Sequence, residues 1–208
     1  MRRRLALLAV CYCTIAGRAF AHEASLTVLI KGQRLPAPIL NAMEREARLA
    51  VESSGIHLDW RSQDEPFGEV TGGVAVVDMR GQCASAGPLP TAWRHPERRA
   101  EPLGQTHLVN GTVLPFADVL CDAVHRLVDH DLRAARPNER EELLGRALGR
   151  VLAHELFHIL ARTTDHTHQG ISRAEQSSAD LLAPGVSFVE SDERRLAEPV
   201  GAEVGAGR

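Results

Sequence analysis

The sequence predicts an α+β fold, in which a twisted mixed β-sheet of about four to five strands packs with two long helices. Short apolar runs of strand character alternate with long stretches of helical periodicity. One run, Val74–Val77, is continuously apolar, which is typical of a central strand covered on both faces. A chain of 208 residues is long enough for one domain with its own core.

The first eighty residues are predicted to run in the order strand, helix, strand, strand. Ser25–Ile30 has strand character. A helix with one apolar face begins at Pro38 and stops at Gly55. Ile56–Trp60 alternates apolar and polar residues, which predicts the second strand, and the apolar run Val74–Val77 predicts the third.

A surface loop, a hairpin and a helix come next. Residues 86–104 are rich in proline and arginine, which is typical of a long loop. An Asn-Gly dipeptide at 110–111 separates the strand-like runs Thr106–Val109 and Thr112–Leu114, and this is the strongest short hairpin signal. Val119–Leu132 then predicts a helix with an irregular start.

The second long helix is predicted to run from Asn138 to about Arg162. Asn138 can act as the N-cap, with Glu141 completing a capping box. Gly145 and Gly149 lie one turn apart on the side opposite the histidines described below. Glycine costs about 1 kcal/mol inside a helix, so we expect close packing against the sheet as compensation.

A polar turn and two short helices complete the predicted fold. The turn follows the long helix and ends at Gly170. Ser177-x-x-Asp180 and Ser187-x-x-Glu190 are predicted to cap the short helices.

The first residues have the three parts of a secretory signal peptide. Arg2–Arg4 form the positive region, Leu5–Ala16 is a short apolar region, and Ala19-Phe20-Ala21 is a cleavage site. We therefore expect residues 1–21 to be removed and the mature protein to be secreted or periplasmic, without a membrane anchor. An uncleaved N-terminal anchor is the alternative. Residues 22–198 are then expected to form one domain, and residues 199–208 a flexible tail.

Two cysteines remain after residue 21, Cys83 and Cys121. An oxidising compartment favours a disulfide between them, and two unpaired buried thiols are the alternative. The net charge is −3 and the arginines are scattered, so nucleic-acid binding is not predicted. We expect a monomer.

The second long helix carries His154-Glu155-Leu156-Phe157-His158, a His-Glu-x-x-His sequence. Residues at i and i+4 are neighbours on one helix face, so both imidazoles can bind one metal ion. Glu155 lies about 100° around the helix from His154, where it can reach a water on that metal. Imidazole ligands suit Zn²⁺, which at catalytic sites keeps one position for water.

A catalytic zinc usually has three protein ligands, so a third ligand is needed. His166 is the first choice because it lies eight residues beyond His158, on a loop that can fold back under the helix end. His168 would share its side if the loop were extended, and Asp165 and Glu175 are carboxylate alternatives. Solvent-exposed loop residues are the competing interpretation for both loop histidines.

The order of these elements, with a final helix bearing His-Glu-x-x-His and a histidine after it, resembles the metzincin clan of zinc endopeptidases. That clan is marked by His-Glu-x-x-His-x-x-Gly-x-x-His and a later methionine turn. Here Ala161 stands at the glycine and Thr164 at the third histidine, the nearest histidine is His166, and no methionine follows the motif. The resemblance covers roughly residues 22–170 and is motif-specific over 147–170.

The resemblance implies a zinc-dependent metallopeptidase that hydrolyses peptide bonds with a zinc-activated water. His154 and His158 would bind the zinc, and Glu155 would be the general base. The edge strand near Thr106–Val109 could bind an extended peptide or protein substrate by strand addition. Two alternatives remain: a secreted zinc-binding module without peptidase activity, and a zinc hydrolase of a non-protein amide.

Overall fold

The computed structural model describes residues 24–197, except residues 67, 69, 71, 84–85 and 88–100. Its elements are β1 (Ala24–Gly32), α1 (Ala37–Glu52), β2 (Ile56–Ser62), β3 (Gly73–Arg80), β4 (Gly104–Val109), β5 (Thr112–Leu120), α2 (Cys121–Ala134), α3 (Arg140–Ala161), α4 (Ser178–Leu182) and α5 (Glu190–Ala197). The expected signal peptide, the C-terminal tail and most of the loop predicted over 86–104 lie outside the described residues. Among the described helices, none has the length and apolar character needed to cross a bilayer.

The five strands form one mixed sheet in the order β2-β1-β3-β5-β4. The first four of these are parallel neighbours, and β4 joins β5 as an antiparallel edge strand. The predicted α+β class with a mixed sheet is therefore confirmed. Strand β3 is central, but within its apolar run only Ala75 and Val77 are fully buried, while Val74 and Val76 are partly exposed. The prediction that this strand is covered on both faces is wrong, because its second face is incompletely covered.

Strand β5 is longer than its sequence predicts, since Thr112–Leu114 is only its beginning. Pro115 suggests a strand end, because proline cannot donate to a ladder. The register between β4 and β5 shifts between Thr106 and Leu108, and Pro115 falls inside this irregularity. Beyond it, β5 pairs with β3 through to Leu120. Helix α2 therefore begins two residues later than Val119, which belongs to the strand.

Helices α1 and α3 pack against each other through the two glycines of α3. A Cβ atom built on Gly145 would lie 2.5 Å from Ala42 Cβ, and one on Gly149 would lie 2.5 Å from the Met43 carbonyl oxygen. Close packing does compensate for the glycines, but the partner is α1 rather than the predicted sheet. The two predicted long helices correspond to α1 and α3, with 16 and 22 residues, and the helix predicted over Val119–Leu132 corresponds to α2, with 14 residues.

The start of α3 differs from its prediction, whereas its end agrees. The Glu139 N–H donates to the Arg136 carbonyl at 2.9 Å, so the chain makes a turn before the helix begins at Arg140. Glu139 is the N-cap position and has no side-chain cap, so the predicted capping box of Asn138 and Glu141 is wrong. The helix ends at Ala161, followed by a left-handed residue at 162.

Of the two caps predicted for the short helices, one is confirmed and the other is wrong. Ser177 and Asp180 form a full capping box at the start of α4. Helix α5 begins at Glu190 itself, so Ser187 lies too far upstream to be its N-cap. The Ser187 carbonyl accepts instead from the Ile171 N–H at 3.2 Å.

A disulfide joins Cys83, after β3, to Cys121 at the first position of α2. Both residues are 1% exposed and belong to the core. They are 38 residues apart, and closing a loop of that length stabilises the folded state by about 4 kcal/mol in the chain-entropy model.

Candidate metal centre

Four side chains at successive fourth positions of α3 donate to backbone carbonyls of the segment that follows the helix. Residues four apart share one helix face, so the four donors form a stripe. Arg146 binds Leu182 O at 3.0 Å, Arg150 binds Asp180 O and Ala183 O, His154 binds Ile171 O at 2.8 Å, and His158 binds Thr163 O at 2.8 Å. This donor stripe holds residues 163–183 along the surface of α3. The segment runs antiparallel to the helix.

The stripe fixes the tautomers of His154 and His158. A carbonyl oxygen only accepts, so the Nδ1 atom of each ring carries the proton and donates it. Each Nε2 atom then presents a lone pair, and the two Nε2 atoms are 3.0 Å apart. Two lone pairs at this distance repel each other unless a metal ion or a proton lies between them. Two imidazoles on a tetrahedral zinc would have their nitrogens about 3.3–3.4 Å apart, so the observed spacing is close to that of a zinc site.

His166 completes the cluster from the loop after α3. Its ring stacks on that of His154 with 5.2 Å between centroids, and it meets the His158 ring edge-on at 4.8 Å. One nitrogen from each of the three rings lies within 4.8 Å of the others. The three histidines form a cluster that could hold a metal ion. His166 is exposed, unlike His158, which is 7% exposed.

The three alternative ligands lie outside this cluster, which is the only such group of metal-binding side chains in the described part of the chain. Thr167 pairs with Arg173 in an isolated bridge, the chain bends at residues 168–170, and His168 is exposed. Asp165 is exposed and pairs with Arg195 at 3.4 Å. Glu175 lines the same cleft as the cluster.

Burial keeps the two helical imidazoles neutral. It lowers the pKa of His154 to about 4, against the opposing effect of the hydrogen bond to Ile171. Burial also lowers the pKa of His158, and the hydrogen bond to Thr163 again opposes it. Neutral imidazole is the form that binds a metal ion, so both rings are ready to do so at neutral pH.

Glu155 is 5% exposed and is held by the edge strand β4. Its Oε2 accepts from the Thr106 hydroxyl at 2.6 Å. Burial raises the pKa of the Glu155 carboxyl to about 7, while hydrogen bonds from the Thr106 side chain and backbone act in the lowering direction. A Cβ atom built on Gly104 would lie 2.6 Å from Oε1, so only glycine lets the strand backbone come this close to the carboxylate.

A cleft of about 760 Å³ opens over the histidine cluster and Glu155. Strand β4 forms one wall, and residues 173–176 contribute to another. Much of its lining is apolar, from Leu103, Leu108, Val113, Ala123, Leu127 and Val151. At one rim, Arg126 and Glu101 neutralise each other in an ion pair. A volume of about 760 Å³ is large enough for side chains of an extended ligand.

Sequence reasoning identified the motif residues but missed the contacts that orient them. Thr106 and Gly104 were expected only as edge strand and loop, yet both touch Glu155. Gln176 was also missed, although its amide donates to Ile171 O, the carbonyl that orients His154. Spacing carries no signal for these contacts, because Thr106 and Glu155 are 49 residues apart. The one available hint was a glycine two residues before a predicted strand.

Comparison with protein-family models, with curated proteins and with solved structures gives no match to this chain. The metzincin resemblance was drawn from residues 147–170 and from the order of the elements. It stays a prediction, since no related sequence or structure tests it.

Proposed function

We propose that this protein is a zinc-dependent peptidase, with His154, His158 and His166 as the zinc ligands and Glu155 as the general base. The observation that carries the proposal is the pair of opposed Nε2 atoms, 3.0 Å apart, on rings whose Nδ1 atoms are both fixed by carbonyls. Carbonyl or carboxylate partners of this kind orient the imidazole ligands of metal sites.

Zinc bound to the three histidines would lower the pKa of a water molecule and polarise the scissile carbonyl. Glu155, in its carboxylate form, would take a proton from that water and deliver it to the leaving amine nitrogen. The Thr106 hydroxyl holds Oε2 and so fixes the direction of the carboxylate during both transfers. A purely structural zinc site has no use for a buried carboxylate beside it, and this favours an enzyme over a zinc-binding module.

A peptide is the substrate that fits the surroundings best. Among the strands of the described residues, β4 has β5 as its only sheet neighbour, so its other edge can pair with an extended chain. Residues of β4 line the cleft beside Glu155. With the predicted signal peptide removed on export, the enzyme would act outside the cytoplasm on peptides or proteins, as a monomer.

The test is the Glu155→Gln variant of the mature protein, assayed for zinc content and for cleavage of a peptide library. Glutamine keeps the size and the hydrogen bond to Thr106 but cannot accept the proton. We expect stoichiometric zinc and a turnover lower by about 10²–10⁴-fold, the usual contribution of general-base catalysis.

Three results would contradict parts of this proposal. Unchanged cleavage would remove Glu155 as the base, and loss of zinc would make Glu155 a ligand or a structural residue. Zinc binding by the wild type without cleavage of any library peptide would favour a zinc module or a hydrolase of another amide.

A further inference from the structure

We infer that Asp192, on α5, is a positioning residue of the metal centre: it fixes the loop that carries His166 and the carbonyl that orients His154. This inference rests on the proposed zinc site. Helix α5 lies outside the motif, and nothing in the sequence pattern connects it with the histidines.

Asp192 is fully buried, at 0% exposure, and its Oδ2 atom accepts from the hydroxyl of Ser172, which is also fully buried. The Thr167 hydroxyl lies 2.6 Å from Ser172 Oγ, 2.8 Å from the Gln169 carbonyl oxygen and 3.3 Å from the same carboxylate oxygen. Ser172 donates its only proton to Asp192, so the single proton of Thr167 is shared among these three acceptors, and Asp192 holds Thr167 chiefly through Ser172.

The two hydroxyls stand next to two different parts of the metal centre. Thr167 directly follows His166, the ligand on the loop. Ser172 directly follows Ile171, whose carbonyl accepts from Nδ1 of His154. Through these neighbours Asp192 acts on the position of one ligand and on the orientation of another. The Thr167 N–H also donates to the Ser172 carbonyl at 3.3 Å, which closes the loop between them.

Helix α5 also holds the residue on the other side of His166. Arg195, one turn beyond Asp192, pairs with Asp165 at 3.4 Å. This pair is exposed, and exposed ion pairs contribute little. The buried contact of Asp192 is therefore expected to be the stronger of the two.

A packing role alone would not require a carboxylate at this position. Burying a carboxylate is costly unless a cation compensates it, and an apolar side chain would fill the space at lower cost. In the described part of the chain no cationic side chain pairs with Asp192, and its Oδ1 atom has no hydrogen-bond partner. The two hydroxyl contacts are what the carboxylate supplies and an apolar residue cannot.

The experiment measures zinc affinity by competition with a chromophoric chelator for wild type, Asp192→Ala and Asp192→Asn. Loss of a group that orients a metal ligand typically costs about 10–100-fold in affinity, and we expect a loss of that size in Asp192→Ala. Asparagine keeps a carbonyl oxygen for Ser172, so Asp192→Asn should recover most of the affinity. Glu193→Ala is the matched control: Glu193 is on the same helix but contacts Ser53 at 3.3 Å, and its removal should leave zinc affinity unchanged.

A second measurement follows hydrogen exchange of the Thr167 amide in the metal-free proteins. Exchange should be faster in Asp192→Ala than in wild type or Glu193→Ala, because the loop is no longer anchored. If Asp192→Ala does not fold, Ser172→Ala removes the same contact with a smaller change and should weaken zinc binding and speed up exchange.

The outcomes separate this inference from the proposed function. A wild type that binds no zinc overturns the proposed function. A wild type that binds zinc, together with a folded Asp192→Ala of equal affinity, overturns the role of Asp192 alone. Equal losses in Asp192→Ala and Glu193→Ala would likewise overturn it, since they would show only that α5 matters for folding.

Discussion

His154 and His158 differ from His166 in how the fold holds them. The first two lie one turn apart on a long helix, and carbonyls of the following segment fix both rings. His166 is exposed on a loop, and side chains of α5 contact the residues on either side of it. Two of the proposed ligands are thus positioned by local helix geometry, and the third by tertiary contacts. Helix geometry is rigid, whereas the loop depends on a few side-chain contacts.

The largest effect is expected at the helical pair. His158→Ala removes a buried ligand and leaves the lone pair of His154 facing an apolar methyl group. Zinc affinity should fall by more than the roughly 100-fold that the loss of an orienting group can cost. Isothermal titration of the metal-free variant with zinc measures this. Stoichiometric binding at close to wild-type affinity would show that the metal, if any, lies elsewhere.

The loop ligand is expected to show a smaller loss. His166 is exposed, so a water molecule can take its place in His166→Ala while the helical pair still binds. Zinc affinity should fall by less than in His158→Ala, though by at least as much as in Asp192→Ala. His168→Ala is the matched control on the same loop and should bind like wild type. If only His168→Ala loses zinc, the third ligand has been misassigned.

The smallest effect is expected at Thr106, which touches the general base but not the metal ligands. Thr106→Val keeps the shape of the side chain and removes the hydroxyl that holds Glu155. We expect kcat to fall about tenfold, or about 1.4 kcal/mol, with KM and zinc affinity little changed. Steady-state kinetics on a cleaved library peptide measures the change, with Thr112→Val on the same hairpin as control. A kcat equal to wild type would mean that Glu155 does not need the Thr106 hydroxyl.

The fold was predictable where local pattern decides it, as the strand character of β1, the alternation in β2 and the Asn-Gly turn of the hairpin show. It was mispredicted where a tertiary partner decides it. Strand β5 continues past Pro115 because β3 offers it a partner beyond the irregular register. The turn ending at Glu139 displaces the predicted cap of α3.

The candidate site shows the same difference between features set by local sequence and features set by tertiary contacts. The helical pair follows from a spacing of four residues, and the choice of His166 from its distance along the chain. The contacts of Thr106 with Glu155 and of Asp192 with Ser172 join residues 49 and 20 positions apart. No local periodicity reports such contacts, because they form only when the sheet edge and α5 close around α3.

The central claim is that three imidazoles hold one zinc ion. X-ray absorption at the zinc edge, on mature protein expressed with added zinc, counts the nitrogen ligands and measures their distances. We predict one zinc per chain with three imidazole nitrogens at about 2.0–2.1 Å, and two such nitrogens in His166→Ala. A wild type without stoichiometric zinc, or a spectrum with three imidazoles in both proteins, would contradict the claim.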